Sequence, residues 1–135
     1  MRPILPAFAV LSAFRGEYDL EHNLARHAGL GEWLRDRGLG IKSLVGRYKD
    51  EQEASWLAVL PSDYGSALDE IQRIAFALCS QESILVVDPD RACTLHYADG
   101  KIEPIGQFRA VTKAVADRHS GASYDPAQDQ WYVCS

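Results

Sequence analysis

The chain has 135 residues, 47% of them apolar and 24% charged. That suits one domain over residues 1–135 with one hydrophobic core, and excludes a disordered chain. A net charge of −5 with no run of Lys and Arg argues against nucleic acid or an anionic membrane as the main partner.

The longest apolar stretches, Pro6 to Phe14 and Ile84 to Val87, are too short to cross a bilayer. The start, with one Arg, Pro3 and Pro6, reads as a short irregular segment rather than a signal peptide. Cys79, Cys93 and Cys134 are odd in number and lack CxxC spacing. They read as free buried thiols, and the expected location is a reducing cytoplasm.

In chain order, Phe8 to Phe14 is apolar enough for a buried strand, which Arg15-Gly16 ends. Leu20, Leu24, His27, Leu30 and Leu34 recur every three or four residues, so Leu20 to Arg37 is predicted as an amphipathic helix. Asp19 is its expected N-cap and Gly38 its stop. Gly29 and Gly31 are expected to weaken or break its middle. Ile41 to Tyr48 and Glu53 to Leu60 read as strands, joined by a polar loop, Lys49-Asp50-Glu51-Gln52.

After Pro61-Ser62-Asp63, an apolar face on Ala67, Leu68, Ile71, Ile74, Ala75 and Leu78 predicts a second helix to about Ser80. Ser83 to Val87 reads as a buried strand and Ala92 to Tyr97 as its hairpin partner. Ala98-Asp99-Gly100 turns into a further strand, Ile102 to Ile105. Gln107 to Arg118 suggests a short helix, the Gly121 to Gln130 region a loop, and Trp131 to Cys134 a last strand. Strand, helix, strand, strand, helix, strand is the split βαβ order. The expected fold is therefore α+β and ferredoxin-like: an antiparallel sheet with two helices on one face, plus a C-terminal extension. Its other face would be left open, and self-association is the simplest way to cover it.

No single short motif declares a chemistry. There is no GxGxxG after a strand, no Walker-type loop and no GxSxG elbow. His22 and His27 sit five apart on the helix, unlike the four-residue spacing of a zinc helix, so no metal site is expected. The hairpin holds Tyr48 near Glu53, and a phenol beside a carboxylate suits an organic cation such as a sulfonium. The same stretch also fits an ordinary solvated hairpin. Arg15, at the end of the first strand, is placed to meet a carboxylate or simply to face water. Asn23, Arg26 and His27 read as the wet side of the first helix. Gln81-Glu82 fits either a cap or a ligand contact.

Taken together and in order, these residues resemble the phage-encoded S-adenosylmethionine lyases, formerly described as hydrolases. The resemblance runs through VLSAFRG (Val10 to Gly16), NLARH (Asn23 to His27), Gly46-x-Tyr48 with the acids after it, and the strand opening at Glu53. It continues through Ala67 to Ala75, Gln81 with Ile84-Leu85-Val86, Tyr97-Ala98, Gly106-x-Phe108 and Trp131 to Val133. The loop between Tyr48 and Glu53 is shorter than in that family, so Glu53 is the first choice for the functional carboxylate and Glu51 its rival.

The resemblance implies cleavage of S-adenosylmethionine to 5′-methylthioadenosine and L-homoserine lactone, through attack of the substrate's own carboxylate. It implies no metal and no organic cofactor. It also implies a sheet similar to that of the trimeric nitrogen-regulatory proteins, sites between the subunits of a homotrimer, and a counter-defence role for a phage in its host's cytoplasm. Tyr48 and Glu53 would be catalytic, with Ser12, Phe14, Arg15 and Gln81 binding substrate. Hydrolysis to homoserine, a non-catalytic trimeric module that binds S-adenosylmethionine or a nucleotide, and a protein that blocks a host enzyme are the alternatives.

Overall fold

Residues 6–48 and 51–135 are described in the computed structural model. The irregular start expected at Met1 to Leu5 and the Lys49-Asp50 part of the hairpin loop lie outside the described residues.

Strand β1 (Phe8–Leu11) alternates its side chains between two environments. Ala9 and Leu11, with Ala7 and Ala13 flanking them, pack against helices, while Phe8 and Val10 join a separate interior cluster with Leu57, Leu85 and Phe108. Helix α1 (Leu20–Asp36) starts where the Asp19 side chain accepts a hydrogen bond from the His22 N–H at 2.8 Å. It ends at Arg37, followed by Gly38 at φ +76°, a left-handed conformation that favours glycine.

The helix is continuous through both internal glycines, contrary to the break expected from sequence. Gly31 is needed there: a Cβ on it would lie 2.7 Å from Cζ2 of Trp56. Leu30 and Leu34 are buried against the sheet, whereas Leu20 and Leu24 at the start of the helix face solvent.

Strands β2 (Ile41–Tyr48) and β3 (Glu51–Val59) form a hairpin paired from Ile41 opposite Ala58 to Tyr48 opposite Glu51. Glu51 and Gln52 are thus strand rather than loop. Helix α2 (Gly65–Arg73) continues through a π-helical turn at Ile74–Leu78 and packs Ile71, Ile74 and Ala75 onto the same core as α1. Strands β4 (Ser83–Val87) and β5 (Ala92–Tyr97) then form the next hairpin.

The remaining elements correct the expected fold. Strand β6 (Ile102–Val111) runs six residues past its expected end, through the first part of the segment read as a short helix. Only Lys113–Ala116, helix α3, is helical there. Gly121–Asp125, expected as loop, is strand β7, and Gln130–Cys134 is β8. These strands join both edges of the run β4-β1-β3-β2, and the described strands form a closed antiparallel barrel in the order β1-β3-β2-β7-β8-β6-β5-β4. The chain is therefore not a ferredoxin-like open sheet with helices on one face. Closure satisfies the edge groups of β6 and β8, and it removes the open face that had argued for self-association.

Closure depends on β6 pairing with two different partners. Its first half pairs with β5 and its second half with β8, and the register with β5 shifts between Cys93 and Thr94. At the change-over, Gly106 adopts φ +107°, and a Cβ there would lie 2.4 Å from the carbonyl carbon of Ser135. Ser135 and Gln107 exchange two backbone hydrogen bonds of 3.0 Å beside it. Gly106→Ala is therefore expected to destabilise the fold by about 2 kcal/mol or more, roughly 6–10 °C in Tm for a chain of this size. Thermal denaturation checks this, and an unchanged Tm would contradict the role given to Gly106.

Candidate functional site

The barrel has an open end where β1 and β2 finish and β3, β4 and β7 begin. A cavity of about 900 Å³ opens there, at the upper part of the range usual for small-molecule sites. Side chains alternate along a strand and directly paired residues share a face. Gly46 and Tyr48 of β2 therefore project to the same inward side as Glu53 and Glu51 of β3, their partners in register. Tyr48 and Glu53 are diagonal neighbours on the cavity wall. Glu51 also lines the cavity, directly opposite Tyr48 at the rim. Opposite Glu53 stands Gly46, which contributes no side chain to fill the space before the carboxylate.

Glu53 is exposed to water at the mouth, with the cavity wall on one side of it. This partial burial raises its pKa above the ordinary 4.5, the nearby Glu51 charge raises it further, and hydrogen bonding from Ser12 opposes both. Ser12 itself is buried behind the cavity wall. Its hydroxyl lies 2.8 Å from the Ala54 carbonyl and accepts from the Phe14 N–H at 3.1 Å. The hydroxyl has one proton, which serves either the Ala54 carbonyl or the Glu53 carboxylate. Gln81 does not point its carbonyl at the cavity: Oε1 accepts from the Ser12 N–H at 3.0 Å. Both residues read from sequence as ligand contacts are thus also structural supports.

Phe14 and Arg15 follow β1 in an irregular segment that lines the mouth. The Arg15 guanidinium donates to Glu17 and to the Ser80 carbonyl, both at 2.8 Å, and is tethered at the rim rather than loose in solvent. Of the six residues predicted from sequence, Tyr48, Glu53, Phe14, Arg15 and Gln81 line one cavity, and Ser12 stands behind it.

The sequence reading missed the cavity's floor. Phe108 and Tyr132 stack there at 4.8 Å, with Phe8 edge-on to Phe108 at 5.1 Å. The alternation of Tyr132 and Cys134 with Trp131 and Val133 carried that signal, but only once the last strand is known to close a barrel. Cys93 and Cys134 are free thiols inside the lumen. A hydrogen bond between them pushes the Cys93 thiol up and holds the Cys134 thiol below its usual range.

The expected wet side of α1 is also corrected. Asn23 is buried, and the His27 ring lies flat on Trp56 at 4.3 Å with Phe14 edge-on to it. Burial lowers the His27 pKa, so it is neutral at pH 7. Among the described residues, no three His, Cys, Asp or Glu side chains converge as metal ligands. None of the helices described is long and apolar enough to cross a membrane.

A family model described as the S-Adenosylmethionine lyase family matches residues 9–135, nearly the whole chain. No curated protein shows significant sequence similarity to it.

The raised pKa of Glu53 has a definite sign for stability. The folded chain holds this proton to higher pH than the unfolded chain, so stability falls as pH rises from about 4.5 through the folded pKa. Glu53→Gln, which keeps shape without charge, is expected to raise Tm at about pH 8 and to lose that gain at about pH 4. Parallel melting curves at the two pH values decide it. A Tm difference independent of pH would show that burial of the charge is not its source.

Proposed function

The chain belongs to the S-adenosylmethionine lyase family, and from that premise we propose that it cleaves S-adenosylmethionine to 5′-methylthioadenosine and L-homoserine lactone inside the barrel lumen. The observation that carries this reading is the shared inward face of Tyr48 and Glu53 in a walled cavity large enough for the substrate.

A sulfonium is already a good leaving group and needs no acid to protonate it. A carboxylate oxygen of the substrate attacks its own γ-carbon, and the carbon–sulfur bond breaks with its electron pair moving to sulfur. The products are a neutral thioether and a five-membered lactone that keeps the α-ammonium. Holding the carboxylate in line for this closure is worth up to roughly 7–11 kcal/mol for ideal geometry. The protein's work is therefore mainly orientation and exclusion of water, with no metal or organic cofactor in the reaction.

The roles follow from the wall's chemistry. The Glu53 carboxylate and the Tyr48 ring attract the cationic end of the substrate, whose ammonium Glu53 holds directly or through a water. Arg15 retains N–H donors beyond its two bonds to Glu17 and Ser80, and these orient the substrate carboxylate. Phe14 and the Phe108–Tyr132 stack offer ring faces to the adenine. Ser12 and Gln81 hold the wall from behind. If Glu53 instead activated water as a general base, homoserine would be the first product.

A homotrimer is part of the reading through family resemblance, with the substrate in each protomer's own lumen rather than between subunits. The exposed Leu20, Leu24 and Leu78 supply apolar surface for such contacts. The proposed setting is the bacterial cytoplasm, where depletion of S-adenosylmethionine by a phage protein would starve host restriction–methylation systems.

Purified protein incubated with S-adenosylmethionine is expected to yield 5′-methylthioadenosine, with lactone detected before homoserine in a fresh reaction. Glu53→Gln is expected to slow this by about 100-fold or more, and Tyr48→Phe by less. Methylthioadenosine at the wild-type rate from Glu53→Gln would overturn the role of Glu53. Homoserine ahead of lactone would overturn the lyase chemistry. No product at all from wild type would leave a binding module.

A further inference from the structure

The segment from Ser12 to Asp19 has no regular structure, yet its backbone polar groups still require partners. Two residues of α1 supply many of them. Asn23, 7% exposed, accepts from the Arg15 N–H through Oδ1 at 2.9 Å. Its Nδ2 donates to the Arg15 carbonyl at 3.0 Å and to the Tyr18 carbonyl at 3.3 Å. Arg26 donates from Nε to the Ala13 carbonyl at 2.8 Å and lays its guanidinium over the Tyr18 ring at 5.1 Å. The two residues are three apart and so share one helix face. Their bonds fall on Ala13 and Arg15, the two neighbours of Phe14, and Phe14 and Arg15 line the cavity mouth.

We infer that Asn23 and Arg26 are positioning residues, which fix the Phe14–Arg15 edge of the mouth through its backbone and thereby set substrate affinity. The inference rests on the S-adenosylmethionine-cleaving reading of the cavity. Asn23 reaches the cavity lining, but its amide is spent on three backbone bonds, and Arg26 holds the Ala13 carbonyl and the Tyr18 ring, so both act through the loop. Releasing the loop loosens contacts made to the bound substrate and product alike, so the effect falls on binding rather than on the closure of the lactone ring.

Asn23→Asp is the sharpest probe because it changes almost no volume. It keeps an acceptor for the Arg15 N–H but turns both donated bonds into carboxylate–carbonyl oxygen contacts. Steady-state assays of methylthioadenosine formation on the full chain are expected to show KM raised about tenfold or more, with kcat within about threefold of wild type. Arg26→Gln, which leaves Asn23 in place, is expected to raise KM in the same manner and decides the matter if Asn23→Asp fails to fold. A folded variant with wild-type KM, or with kcat reduced and KM unchanged, overturns the inference. Absence of product from wild type would instead sink the functional reading, so the two failures are distinguishable.

Discussion

Everything in this molecule follows from strand β6 making two successive partnerships, first with β5 and then with β8. Without that switch, the strands would be an open sheet with β6 and β8 as two raw edges and one face of Phe8, Val10, Leu57 and Leu85 bare to water. With it, those side chains become the lining of a lumen, and helices α1 and α2 seal the outer face through Leu34, Ile71 and Ala75. The barrel is thus filled from outside by helices and kept partly hollow within. Aromatic side chains, Phe8, Phe108 and Tyr132, pack on one another within the interior cluster that forms the floor.

The hollow then changes the chemistry of what lines it. A carboxylate at a hairpin end is usually fully solvated, whereas Glu53, exposed at the mouth, is partly desolvated by the cavity wall and stands before the empty place of Gly46. Enclosure is costly to the ionised form and useful for a cationic guest, because the same low-dielectric walls strengthen the attraction of charge and ring to a sulfonium. Stability lost at Glu53 is the expected counterpart of a site that waits for a positive ligand. In the proposed reaction the substrate carries both nucleophile and leaving group, so the protein needs to contribute little else.

How much of this was legible in the sequence differs by element. β2, β4 and β5 match their expected limits, and α1 its expected start, because apolar periodicity and turn residues mark their ends. The barrel itself was not legible. β7 reads Gly121-Ala122-Ser123, with poor strand formers. From the change-over onward β6 carries Gly106, Gln107 and Arg109, which look like loop or helix until pairing with β8 is known. Missing those two segments meant missing closure, and with it the lumen. The nearness of Tyr48 and Glu53 was readable from the hairpin, but its register was not, since Tyr48 pairs with Glu51 and Glu53 with Gly46. The supports behind the wall were not: Asn23 and His27 sit at helix positions that ordinarily face solvent, and only the tertiary contacts with the Ser12–Asp19 segment and Trp56 show their use.

The central claim is that the lumen holds S-adenosylmethionine with its sulfonium against the wall formed by Tyr48 and Glu53. A crystal structure of the slowed Glu53→Gln variant soaked with S-adenosylmethionine tests it most directly. The account requires the ligand inside the barrel mouth, its sulfur beside the Tyr48 ring and its carboxylate turned back toward its own γ-carbon. A ligand bound elsewhere on the surface, with the lumen holding only water, would contradict it.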